Sequence, residues 1–220
     1  MAARDYDIVA IGGDLDDPQS FLSFTFSYVR RRLKFGSNVV RDRIIEFSSG
    51  ASKANVLIVL GNHDSPDSRG LHGRSVDVAG LIVGGVGGSL PARGLLSFPF
   101  ELEEKEYESI LKQLGHVDVL VSHEPPYDTK CDIAYGGEHV GSRAIREYVL
   151  REQPRLVLTG HIHESPAIDR LGNTTVLNPG AFVNGNYGAV EILPDDVRAT
   201  IKQVGTRRKN LTFEHKLEGS

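Results

Sequence analysis

The amino-acid sequence predicts an α/β fold on three observations. Short runs rich in Val, Ile and Leu recur along the chain, several intervals between them carry helix start and stop signals, and the tail is β-rich without helices. The runs are DIVAIG at Asp7 to Gly12, NVLIVLG at Asn55 to Gly61, LIVGGVGG from Leu81, VDVLVSH from Val117 and RLVLTGH from Arg155. Near-continuous hydrophobicity over so few residues fits strands buried on both faces, with helices packed outside.

The helical intervals follow in order. PQSFLSFTFSYVRRRLKFG opens with Asp17 as cap and Pro18 in the first turn, and Lys34-Phe35-Gly36 supplies a stop. ELEEKEYESILKQLG is acidic in its first turn and ends at Gly115, as the helix dipole favours. GSRAIREYVLREQP takes Ser142 as its cap and stops before Pro154. In the tail, TTVLNPG, YGAVEIL and VRATIKQV have no helix between them, which predicts antiparallel strands at one side. No internal repeat, low-complexity tract or linker interrupts the sequence, so residues 1–220 read as a single domain.

Composition narrows the classes of function. A net charge of −4, with acidic and basic residues interleaved, leaves no electrostatic footprint for nucleic acid or an anionic membrane, so a phosphate-bearing ligand needs a local site. One cysteine, Cys131, excludes an intramolecular disulfide and reads as a packing residue. The start MAARDYDIVAIGG lacks the basic and apolar stretches of a secretory signal, and no apolar run approaches the length of a membrane span, so a cytoplasmic protein is expected.

Polar residues cluster where the predicted strands stop. Asp14 follows the first run, Asn62, His63 and Asp64 the second, His123 the VLVS run, and His161 and His163 the VLTG run. Ligand and catalytic groups of α/β sheets gather outside the carboxyl ends of strands, so these segments are expected to converge on one crevice. Carboxylate, amide and imidazole donors without a thiolate suit Mn²⁺, Fe²⁺ or Zn²⁺ better than Ca²⁺. Residues i and i+2 on a continuing strand share a face, and His161 and His163 in a turn can grip two neighbouring ions.

GGDLDD, GNHD, VSHEPP and GHIHES stand in the order and context of the calcineurin-like metallophosphoesterases, and NPGAF resembles a segment that often follows their GHxH motif. The similarity runs from about Asp7 to about Leu193, and four such motifs in order at strand ends are specific where each alone is not. The resemblance implies a four-layer α-β-β-α sandwich holding two divalent ions, Mn foremost, with Fe, Zn and Ni as alternatives. It makes Asp14 the carboxylate between the two ions, gives Asn62, His123 and His161 to one of them and His163 to the other. His63 corresponds to the family's histidine that protonates the leaving oxygen, with Asp64 orienting it. The implied reaction is hydrolysis of a small phosphomonoester or phosphodiester through a metal-activated hydroxide.

The sequence departs from the family in one respect. Members begin with a strand ending in DxH, which supplies two ligands to the ion that His163 helps to hold, and no DxH occurs here. The first strand and helix of the family are therefore expected to be missing, either because Met1 is an internal residue of a longer chain or because the chain is a short form with one intact metal site. An edge left by a missing strand is apolar and aggregation-prone. The rival reading is a non-catalytic scaffold, since a subunit of the retromer coat resembles this fold and serves in assembly; a scaffold has no use for His63.

Other candidates have plainer expectations. Asp16 and Asp17 read as caps, His72, His116 and His215 as surface residues, and His139 as a loop histidine unless the helix after Ser142 offers its N–H groups to a phosphate beside it. Arg143 and Arg146 lie three apart on one helix and face either solvent or substrate. The loop from Ser122 to Arg143 leaves directly from His123 and is expected to line one side of the site.

Overall fold

The computed structural model describes residues 8–14, 55–66, 70–92, 97–203 and 211–213. The helix expected from Pro18, and His215, lie outside them. Each of the five apolar runs contains a strand: β1 is Ile8–Ile11, β2 Asn55–Ile58, β4 Leu81–Val86, β5 Val119–Ser122 and β6 Leu156–Leu158. Three strands were not expected: β3 at Arg74–Val78, β7 at Ala167–Leu171 and β11 at Leu211–Phe213. The tail supplies β8 at Thr174–Asn178, β9 at Asn186–Leu193 and β10 at Asp196–Gln203.

Helix α1, Glu104–Leu114, is capped by Glu103 and Glu106 reaching for each other's backbone and stops at Gly115. Helix α2, Arg143–Glu152, has the expected Ser142 cap, whose hydroxyl accepts the Ile145 N–H.

Three sheets result. β1 and β2 pair in parallel; β3-β4-β5-β6-β8-β7 form a six-stranded sheet whose middle four strands are parallel; β9, β10 and β11 are antiparallel. This corrects the reading of the tail. TTVLN does not join the antiparallel group; it pairs in parallel with β6, Leu156 opposite Thr175, because the β7–β8 hairpin first reverses the chain.

The faces of the central sheet are covered differently. Leu120, Val157 and Val176 pack with Tyr107 and Leu111 of α1 and Ile145, Tyr148 and Val149 of α2. Their sequence neighbours Val119, Val121 and Leu156 point to the opposite face, where they meet Ile8, Ala10 and Leu57 of β1 and β2 and Val190, Ile192 and Val197 of β9 and β10. Among the described residues, helices cover one face of this sheet and strands the other. An apolar run records that both faces are dry, not what dries them.

The registers align strand ends. Ile11 lies opposite Ile58, Val121 opposite Leu158, and Val86 opposite Ser122. Within each sheet the segments leaving paired strands therefore emerge side by side, and Gly12 and Asn62, after β1 and β2, meet His123, after β5. No helix among the described residues is long and apolar enough to cross a membrane.

Candidate metal centre

Two glycines allow the strand ends to meet. A Cβ on Gly13, whose φ of +104° already excludes most side chains, would lie 2.6 Å from His123 Nδ1, and one on Gly61 would strike Asp14 Oδ1 and come 2.7 Å from His123 Cε1. The GGD and GN glycines are thus where two turns and an imidazole approach at backbone distance. Asp14 and His161 themselves have φ of 58° and 61°. These left-handed conformations cost energy in residues with a Cβ and turn both side chains sharply off their strands.

The side chains then converge. His123 Nε2 lies 3.0 Å from Asn62 Oδ1, 3.1 Å from His161 Nδ1 and 3.5 Å from Asp14 Oδ1. The ligand atoms of Asp14, His123 and His161 all fall within 4.8 Å of one another. His123 Nδ1 sits 2.5 Å from the Gly12 carbonyl oxygen, an atom that only accepts, so Nδ1 carries a proton. Nε2 is then the ring atom turned to the oxygens of Asn62 and Asp14. A ring nitrogen gathered with an amide and a carboxylate oxygen is a donor set a divalent cation can use, and N/O chemistry without sulfur fits a borderline or hard ion.

Asp14 faces two ways. Its Oδ1 is directed to His123 and accepts the His63 N–H at 3.3 Å, while Oδ2 lies 3.9 Å from His163 Nε2. Burial by itself pushes the Asp14 carboxyl up, but the neighbouring His123, His161 and His63 rings and the His63 N–H outweigh it, and the group is held below the usual carboxylate range. His161 is pushed down to about 3, first by burial and then by the adjoining His123 ring, so it is unprotonated at neutral pH.

His63 rides on a turn fixed by its neighbour. The buried Asp64 carboxylate accepts the Gly61 N–H at 2.7 Å, and the His63 ring packs against Phe98 with centroids 4.5 Å apart. All seven expected site residues, Asp14, Asn62, His63, Asp64, His123, His161 and His163, lie on these converging segments.

Two further residues belong to the neighbourhood without having been expected. Asn178, at the start of NPG, donates to the carbonyls of Cys131 and Ile162 and accepts the Gly180 N–H at 2.9 Å, tying the GHIH turn to the loop after β5. An Asn-Pro-Gly at a strand end was its sequence signal. Glu124, only 1% exposed, accepts the Leu90 N–H at 3.0 Å and places the same oxygen 3.8 Å from His161 Nε2; burial pushes its carboxyl well up.

The remaining candidates are redirected. His72 is half-buried rather than on the surface: its Nδ1 accepts the Gly87 N–H at 3.1 Å. His116 is exposed, as expected. No phosphate niche opens beside His139, because the first N–H groups of α2, at Arg143 and Ala144, donate to the Glu104 carboxylate at 2.8 and 3.0 Å. His139 instead contacts Asp132, which is wholly buried, at 2.7 Å. Arg143 lies over the Tyr127 ring and Arg146 bonds the Tyr127 and Asp128 carbonyls, so both serve the loop itself. That loop does reach the GHIH segment, where the Tyr135 N–H donates to Glu164 Oε1 at 3.2 Å.

The family model described as metallophosphoesterase, calcineurin superfamily, matches residues 55–201, more than half of the chain. An uncharacterized protein of Methanocaldococcus jannaschii, MJ1162, is 41% identical over 103 residues, 43% of this chain and 46% of that one, so the match spans under half of that relative. One crystal structure aligns over 94% of this chain and 88% of its own with a TM-score of 0.62 at 19% identity. The crystal structure of TT1561 of Thermus thermophilus aligns over 87% of this chain and 96% of its own, with a TM-score of 0.58 at 16% identity. At such identities the likeness is one of fold.

Proposed function

Because this chain belongs to the calcineurin superfamily of metallophosphoesterases, we propose that it is a metal-dependent phosphoric ester hydrolase acting on a small phosphomonoester or phosphodiester. Family membership supports a general phosphoesterase function. The observation that carries the finer reading is the gathering of Asp14, His123 and His161 donor atoms within 4.8 Å, with the Asn62 oxygen on the same nitrogen. Asp14, Asn62, His123 and His161 would hold one ion, Mn²⁺ being the first choice, and Asp14 Oδ2 with His163 would face a second. A divalent ion held there supplies Lewis-acid polarisation of a phosphoryl oxygen and activation of water at neutral pH.

The chain's own residues have separate tasks. Asp14 offers one oxygen to each side, the arrangement a shared carboxylate needs. Asp64 fixes the turn that carries His63, and Phe98 limits the swing of its ring. His63 donates its backbone N–H to Asp14 at the edge of the centre, and its ring would give a proton to the departing alkoxide.

The test is Mn²⁺-dependent hydrolysis of bis-p-nitrophenyl phosphate by the full chain beside His63→Ala. Turnover in the variant is expected to fall by about 10² to 10⁴ with the bound Mn²⁺ unchanged. Equal turnover in both proteins would remove His63 from the reaction, and a chain that takes up no Mn²⁺ would remove the metal centre.

A further inference from the structure

His161 must present a lone pair at Nδ1 to join the donor set, yet its tautomer is contested. A proton on Nδ1 would find an attractive acceptor in His123 Nε2 at 3.1 Å, and the resulting pair of histidines would close the site against a cation. The opposing influence is on the other side of the ring. Glu124 Oε2 lies 3.8 Å from His161 Nε2, longer than a direct hydrogen bond but close enough for its partial charge to act on that nitrogen. A proton on Nε2 would be attracted by this oxygen, whereas a lone pair there would be repelled by it.

We propose that Glu124 is a positioning residue that keeps the His161 proton on Nε2, leaving Nδ1 open to the ion. Resting on the metal-centre reading above, it identifies which group sets the ligating nitrogen. The oxygen is suited to this in either charge state: it already accepts the Leu90 N–H at 3.0 Å, so it is the acceptor side of the carboxyl whether or not the other oxygen carries a proton. The side chain is also rigidly placed, being 1% exposed, with its own carbonyl accepting the Ser122 hydroxyl at 2.5 Å. Carboxylates set behind a ligating histidine in this manner fix its ring and tautomer, and losing one typically lowers metal affinity 10- to 100-fold.

The experiment combines imidazole ¹⁵N NMR on the chelator-treated chain with Mn²⁺ titration calorimetry, for the wild type, Glu124→Gln and Glu124→Leu. His161 is expected in the Nε2–H form in the wild type and in the Gln variant, which keeps an acceptor oxygen. In Glu124→Leu it is expected to change to Nδ1–H bonded to His123, with Mn²⁺ affinity about 10- to 100-fold lower. An Nδ1–H wild type overturns the proposal, as does a folded Leu variant with wild-type tautomer and affinity. Should the Leu variant not fold, the wild-type tautomer decides alone. A wild type with Nε2–H that takes up no Mn²⁺ would support the role of Glu124 while ending the metal-centre reading, so the two fail separately.

Discussion

Gly61 is the residue on which the centre depends most sterically. A methyl group there would occupy the place of Asp14 Oδ1 and press on His123 Cε1, displacing two donor atoms while leaving every charged and polar group in the sequence. Gly61→Ala is therefore expected to lose Mn²⁺ binding at least as completely as His123→Ala, with most of the strand packing retained; calorimetric titration beside a far-ultraviolet spectrum checks both halves. Wild-type affinity in the variant would mean that the turn yields, and that the close approach is not required. The donor residues were legible in the sequence because each is a polar group directly after an apolar run. Glu124 was not, since its importance comes from burial and from which face of His161 it meets, and neither is written in SHEPP. The aspartates illustrate the same limit: Asp14 and Asp132 are both buried acids in loops, but one turns into the centre and the other accepts the Asp128, Thr129 and Gly141 N–H groups.

Helices α1 and α2 are joined by a device that belongs to elements rather than to single residues. Glu104 begins α1, yet its carboxylate accepts the Ser142 hydroxyl and the Arg143 and Ala144 N–H groups, so the first turn of one helix caps the next. Its negative charge also lies at the positive end of the α2 dipole. Removing it in Glu104→Ala should cost about 0.5–2 kcal/mol, the usual range for a lost cap. For a chain of this size that corresponds to a melting point lower by roughly 1–8 °C. An unchanged melting point would show that water replaces the carboxylate without loss. Sequence reading found the Ser142 cap and the Gly115 stop because such signals are local. It missed Glu104 as a partner of α2, and it missed β3 and β7, because a cap from another helix and a half-exposed hairpin strand are made by contacts distant along the chain. The misplacement of β8 has the same cause: TTVLN has strand propensity in either sheet, and the preceding hairpin decides between them.

At the scale of the whole molecule, buried titratable groups couple the site to stability, and their signs differ. Cys131 is fully buried between the two hairpin strands' carbonyls and its thiol is pushed up to about 12, chiefly by burial, so at pH 8 the native chain should resist iodoacetamide and react only after unfolding. Rapid labelling without unfolding would place the thiol at the surface. His161 titrates in a more useful window. Its native value of about 3 lies below the ordinary 6.5, so the unfolded chain takes up a proton first, and the stability that His161 contributes in the metal-free protein is lost as pH falls from about 6.5 towards 3. Asp14, held below its usual 3.8, adds a loss of the same sign at lower pH. Glu124, pushed up by burial, has the opposite sign: its native state keeps a proton that the unfolded chain releases above 4.5, so acidification relieves it. A melting curve of one protein sums these effects; a difference isolates one. The melting point of chelator-treated wild type minus that of His161→Asn should therefore shrink steadily between pH 7.5 and 5, because the Asn variant retains the other groups and lacks only the imidazole. Parallel curves would mean that His161 is protonated alike in both states and is not buried in its neutral form. With saturating Mn²⁺ the wild-type curve should stay flat to lower pH, since an ion that binds only the native state adds stability and protons must then compete with it for Nδ1.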